Sequence, residues 1–235
     1  MTLLALAIAP GLVICFYIFY KDMYNREPKL NLLVSFILGA LMIIPAALIE
    51  QGVMPYFDNS ISSTAAFAYI GVAFTEELCK FIVLRFYSYP KKSFDEPLDG
   101  IVYGILVSMG FATLENISYV YQHGFGTAIL RMFLSVPAHA TFGVLMGYYV
   151  GLAKFNPQKS FALMFTGLFL ATFFHGTFDF FLFLQSSPAL DPYISDGLLF
   201  IGAIVSFIIA VRLSKKLIRQ HHLLSHNTFN IGNRA

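Results

Sequence analysis

The sequence predicts an all-α polytopic membrane protein with about seven transmembrane helices, and three observations predict it. Of its 235 residues 57% are apolar and only 12% charged, with a mean hydropathy of +0.71, far from the balance of a soluble domain. Seven runs are long and apolar enough to cross a hydrocarbon core of about 30 Å, which takes about 20 helical residues. The basic residues alternate with those runs: of the 15 Lys and Arg, all but Lys80 and Arg131 fall at or in the odd-numbered loops or in the C-terminal tail.

Taken in order, the spans are expected near 2–20, 30–50, 63–89, 98–122, 127–153, 160–184 and 194–213. Span one carries no positive charge before its apolar run, only "MT", so it is expected to remain as an anchor and not to be cleaved as a signal peptide. Loop one holds Lys21, Arg26 and Lys29; loop three holds Lys91 and Lys92, with Arg85 at the end of the span before it. Loop five holds Lys154 and Lys159, and the tail holds Arg212, Lys215, Lys216, Arg219 and Arg234. The even loops, 51–62, 123–126 and 185–193, hold none. By the positive-inside rule the N-terminus is expected outside and the C-terminus in the cytoplasm. Pro10, Pro45 and Pro137 lie inside spans and are expected to kink or unwind them.

There is no repeat, no low-complexity segment and no loop long enough to fold alone, so residues 1–235 form one integral membrane domain. Its polar spans make a catalytic four-helix region at about 63–184, and a basic tail follows at 214–235. The net charge of +2 resides in cytoplasmic loops and tail, which points to lipid headgroups and not to nucleic acid. The two cysteines, Cys15 and Cys79, lie in different spans and offer neither a disulfide framework nor a metal-binding pair.

Charged and imidazole groups in a bilayer are costly and mark functional sites by default. Here they are Glu76, Glu77 and Lys80 in span three, Glu115 and Asn116 in span four, Arg131 and His139 in span five, and His175 and Asp179 in span six. Glu50 lies at the outer end of span two. At about 1.5 Å per residue, Glu77, Glu115, His139 and His175 stand some 18–25 Å from the cytoplasmic ends of their helices. Four helices therefore bring polar groups to one level. Glu76 and Lys80 share a helix face, as do His175 and Asp179, so Asp179 is placed to orient His175. Glu77 is about 100° round from Glu76, which gives the two glutamates a wide cavity or different roles.

An intrahelical ion pair accounts for Glu76 and Lys80 but leaves Glu77 and Glu115 at the same depth unexplained. Cys79 reads as a small apolar residue, Arg131 as a cation snorkelling to the outer surface, and the tail "QHHLLSH" (His221, His222, His226) as an exposed lipid-facing end. A buried glutamate beside a second carboxylate can deprotonate a water as it attacks a carbonyl, with His or Asn donors for the oxyanion. Alternatively Glu115, His139 and His175 can hold a Zn²⁺ with one open position. The residues do not separate these two mechanisms. A proton- or cation-coupled transporter using a Glu/His relay is the competing class, and a non-catalytic scaffold a third. No GxSxG, HExxH or GxGD stretch is present.

Four ordered motifs, "EELCK" (Glu76, Glu77, Lys80), "FATLEN" (Glu115, Asn116), "HATFG" (His139) and "HGTFD" (His175, Asp179), resemble those of the PrsW family of intramembrane proteases. That family is related to the CaaX prenyl protease superfamily. The resemblance covers about 73–180. It implies a bacterial cytoplasmic-membrane protease that makes the first, extracytoplasmic cut in a single-span anti-sigma factor during envelope stress. It further implies that Glu76 and Glu77 are the paired catalytic glutamates and His175 the essential histidine of the last motif. Glu115 and Asp179 stand where the wider superfamily usually has His and Asn, so prenylated substrates are not expected.

Overall fold

The computed structural model describes residues 2–21, 26–186 and 194–232, with side chains described for 2–21, 26–185 and 194–224. The described residues are almost entirely helical and contain no strand. In chain order the helices are α1 (Thr2–Lys21), α2 (Lys29–Leu41), α3 (Ile43–Val53), α4 (Ile61–Ala66), α5 (Thr75–Val83), α6 (Pro97–His123), α7 (Phe125–Phe133), α8 (Ser135–Phe155), α9 (Ser160–Phe183) and α10 (Asp196–Gly232). Two π-helical segments, Phe67–Phe74 and Leu84–Ser88, flank α5 and join it to α4, so 61–88 is one continuous helical run.

The seven expected spans are all present as helix. Six of them are long and apolar enough to cross a bilayer; the third, 61–88, carries the acids and the lysine that lower its hydropathy.

Two prolines act three residues upstream of themselves. A proline ring clashes with the carbonyl four residues earlier and offers no N–H. Accordingly span two breaks at Met42, before Pro45, and span five breaks at Leu134, before Pro137. Pro10 behaves otherwise: α1 runs through it unbroken. The last helix is longer than span seven required and carries Lys215, Lys216 and Arg219 within it.

The core is built around α6. In its most apolar stretch 89% of residues are buried, against 22% for α1 and for the α2–α3 run, which face lipid. Such burial needs close neighbours on every side, and glycines provide them. A Cβ on Gly104 would stand 2.5 Å from Gly143 O and one on Gly143 would stand 2.7 Å from Gly104 O, so α6 and α8 meet backbone to backbone. Likewise Gly39 of α2 lies against Val107, and Gly110 of α6 against Phe36. On the outside of the bundle, Phe161, Phe165, Phe169 and Phe173 form an exposed i, i+4 stripe along α9, the surface expected to meet acyl chains.

Loops one, three and five converge at one end. Asn31 Nδ2 donates to Ser93 Oγ at 3.2 Å, Lys154 Nζ to Tyr89 O at 2.5 Å, and the Tyr103 hydroxyl to Glu27. This is the basic end, as the charge alternation requires. One expectation about that end is corrected: His221 is fully buried, its ring stacked on Tyr148 at 4.1 Å, because α10 continues as one helix packed against α8. His226 and Arg234 lie outside the described side chains.

Candidate active site

The two glutamates reach the bundle interior through the π segment that precedes them. Its i→i+5 pattern widens the helix, a feature that recurs at functional sites. Here Phe67–Phe74 is pinned to α9: the Tyr69 hydroxyl bonds Thr177 Oγ1 at 2.8 Å, and the Tyr69 ring fills the space that a side chain at Gly176 would need. The next residue back is His175. The same contact thus sets the two helices that carry Glu77 and His175.

Around that contact the side chains form one connected network. Lys80 Nζ donates to Glu77 Oε1 at 2.7 Å and to Glu76 Oε2 at 3.0 Å, lies 3.1 Å from His139 Nδ1, and stands 4.2 Å from the centre of the Phe111 ring. His175 Nδ1 is 2.9 Å from Glu77 Oε1, and its Nε2 is 3.1 Å from Asp179 Oδ2 and 3.9 Å from Glu76 Oε2. His139 Nε2 is 2.9 Å from Glu115 Oε2. Glu76, Glu77, Lys80, His139 and His175 are all at most 4% exposed.

The two histidines meet different partners. His175 has a carboxylate at both ring nitrogens. His139 has a carboxylate at Nε2 and an ammonium at Nδ1.

A cavity of about 550 Å³ opens beside this network, with Glu76, Glu115, His139, His175 and Asp179 on its wall. Glu77, with no exposed surface, is not on the wall. The adjacent glutamates therefore hold different positions: Glu76 meets the cavity, and Glu77 stands behind it holding Lys80 and His175. At its other end the cavity reaches Met54, Gln122, His123 and Ser135, the helix ends opposite the basic loops. A side pocket of about 260 Å³ shares Met54, Phe67 and Phe183 with it.

The residues expected at the site are together, with two differences. Asn116 faces away from the glutamates, donating to Ala7 O at 2.9 Å and accepting from Arg131 Nε at 2.9 Å. Arg131 does not snorkel. Its Nη2 lies 2.7 Å from Glu115 Oε2 and its guanidinium 4.1 Å from the Tyr119 ring centre, because α7, joined to α6 through Gly124, packs against it. A cation within a span and Pro137 just after it were the available signals; which acid the guanidinium would meet was not legible.

One donor atom from each of Glu76, Glu77, His139 and His175 falls within 4.8 Å of the others. Glu115 is not in this group; it backs His139 from the far side.

Comparison with known proteins gives the family. The family described as "PrsW family intramembrane metalloprotease" matches residues 27–219. A Protease PrsW of Geobacillus kaustophilus is 40% identical over 178 residues, covering 76% of this chain and 78% of that protein. Those of Bacillus subtilis and Clostridioides difficile are 38% and 34% identical, covering 77% and 78% of this chain and 82% and 80% of theirs. No solved structure matches the chain. The chain accordingly belongs to the PrsW family of intramembrane metalloproteases and is a multi-pass membrane peptidase.

Proposed function

We propose that the protein makes the first, extracytoplasmic cut in a single-span anti-sigma factor, with Glu76 as the base that activates water. The observation that carries this reading is the cavity: it joins Glu76 and His175 to the end of the bundle opposite the basic loops, the side expected to face outward. A peptide bond just outside a substrate's single span would reach it there.

The residues divide the work as follows. Glu76 takes a proton from the attacking water and later returns it to the leaving amine. His175, on the cavity wall, turns its Nε2–H from Asp179 to the oxyanion as the tetrahedral intermediate forms. Glu77 and Asp179 hold that imidazole from its two nitrogens, and Lys80 keeps the paired glutamates in place. Glu115 fixes the ring of His139.

The donor set also fits a metal such as zinc. Two imidazoles and two carboxylates are suitable ligands, and the Glu77 Oε2 atom is buried without a hydrogen-bond partner. Glu76, Glu77, His139 and His175 would hold the ion, in place of contacts that the Lys80 ammonium makes with three of them. When bound, it would supply Lewis-acid polarisation and a more acidic water.

The test is to express wild type, Glu76→Gln, Glu77→Gln and His175→Ala at matched levels under envelope stress and map protein N-termini by mass spectrometry, with metal analysis of the purified proteins. New termini just outside the span of an anti-sigma factor, present with wild type and reduced at least 100-fold in the variants (about 3 kcal/mol of transition-state stabilisation), are expected. Equal termini in all four would refute the assignment.

A further inference from the structure

Resting on that reading, we propose that Glu50 is a specificity-determining residue whose carboxylate receives a basic side chain of the substrate close to the scissile bond. Glu50 belongs to α3, which turns one face to the cavity: Ile43, Ala47, Glu50, Gln51 and Met54 line it, spaced as a single helical stripe. The stripe is apolar except at Glu50 and its neighbour Gln51. A charge placed in such a wall is costly unless something answers it.

Nothing among the described residues does so by direct contact. The other acids on the cavity wall each have a cationic partner: Glu76 has Lys80, Glu115 has Arg131 and His139, and Asp179 has His175. Glu50 enters no ion pair, and its Oε1 is buried without a hydrogen-bond partner. Nor does Glu50 belong to the Glu76, Glu77, His139, His175 group, so a metal held there would leave it unanswered.

The cations near the cavity are already committed to other acids, which leaves the Glu50 carboxyl as the acid of this wall with no cationic partner. A peptide that enters displaces water from the cavity and strengthens every charge–charge interaction within it. The incoming group that this wall favours is therefore a lysine or arginine, and the group that it disfavours is an acid. About 550 Å³ accommodates such a side chain together with the backbone that carries it.

The experiment begins from termini that wild type generates in cells and Glu76→Gln/Glu77→Gln does not. In one substrate so identified, each Lys or Arg within about five residues of the cut is changed singly to Glu, a stretch spanning up to about 18 Å. Each form is co-expressed with wild type, Glu50→Gln or Glu50→Lys at matched membrane levels. The expected result is one basic position whose change slows cutting by wild type at least about tenfold. Glu50→Lys should restore cutting of that changed substrate and slow cutting of the original, and Glu50→Gln should discriminate little between them. Cuts with no basic residue in that stretch, or a charge preference unmoved by either Glu50 variant, would overturn the proposal while leaving the protease reading intact. If Glu50→Lys does not accumulate, unchanged selectivity in Glu50→Gln overturns it as well. Termini identical in wild type and the double glutamine variant would remove the protease reading and this proposal together.

Discussion

His139 and His175 are one residue type in two electrical settings, and their neighbours make the difference. His175 lies between the carboxylates of Glu77 and Asp179, whereas His139 lies between the Glu115 carboxylate and the Lys80 ammonium. Arg131 secures the second setting from outside it, because its guanidinium holds Glu115 as an acceptor for His139. Arg131→Ala is therefore expected to slow cutting about 10–100-fold, the usual cost of removing a group that orients a catalytic ligand. Arg131→Lys should recover only part of that loss: an ammonium keeps the charge but cannot reach Glu115 and Asn116 with the fork that guanidinium presents. Initial rates at saturating and limiting substrate, with levels matched by immunoblot, check this. A fall in kcat at unchanged KM is the expected pattern, and unchanged kcat in Arg131→Ala would refute it.

At the scale of the element, the π segment Phe67–Phe74 and its contact with α9 deserve a direct perturbation. A side chain at Gly176 would collide with the Tyr69 ring, one residue from His175. Gly176→Val should push the two helices apart, cost about 1–3 kcal/mol as overpacking does, and separate His175 from Glu77. The expected signature is a lower thermal midpoint in detergent together with loss of cutting. Gly126→Ala is the control, since a Cβ there meets nothing within 4 Å, and it should leave both readings unchanged. The helix breaks follow the same local logic. Pro45 and Pro137 could be read as interruptions, and each break falls three residues upstream, where the ring disturbs the preceding turn. Pro10 shows that the rule permits exceptions when surrounding helices hold the chain.

For the molecule as a whole, the bilayer is the organising solvent. Loops one, three and five meet at one end through Asn31, Ser93, Tyr89 and Lys154, and the cavity reaches the other. A thiol-directed, membrane-impermeant reagent should therefore label Asn59→Cys in intact cells and reach Lys92→Cys only after permeabilisation. The opposite pattern would invert the topology and place the cavity mouth in the cytoplasm. The family relationship makes the protein a peptidase, which favours that class over a transporter.

The all-helical spans, the alternation of basic loops and the presence of Glu76, Glu77, Glu115, His139 and His175 at one depth within the spans were legible in the sequence alone. The reason is that a bilayer punishes buried charge residue by residue, so each exception stands out in the chain without knowledge of its neighbours. Tertiary structure alone decided which glutamate meets the cavity, that Arg131 turns inward, that His221 is covered, and that Glu50 shares the cavity wall. Those outcomes depend on a π segment, the packing of α7 against α6 and glycine seams that let helices approach. The seams, and the Tyr69–Gly176 contact that fixes the π segment, join residues far apart in sequence, and the energy that settles them belongs to the pair and not to either residue.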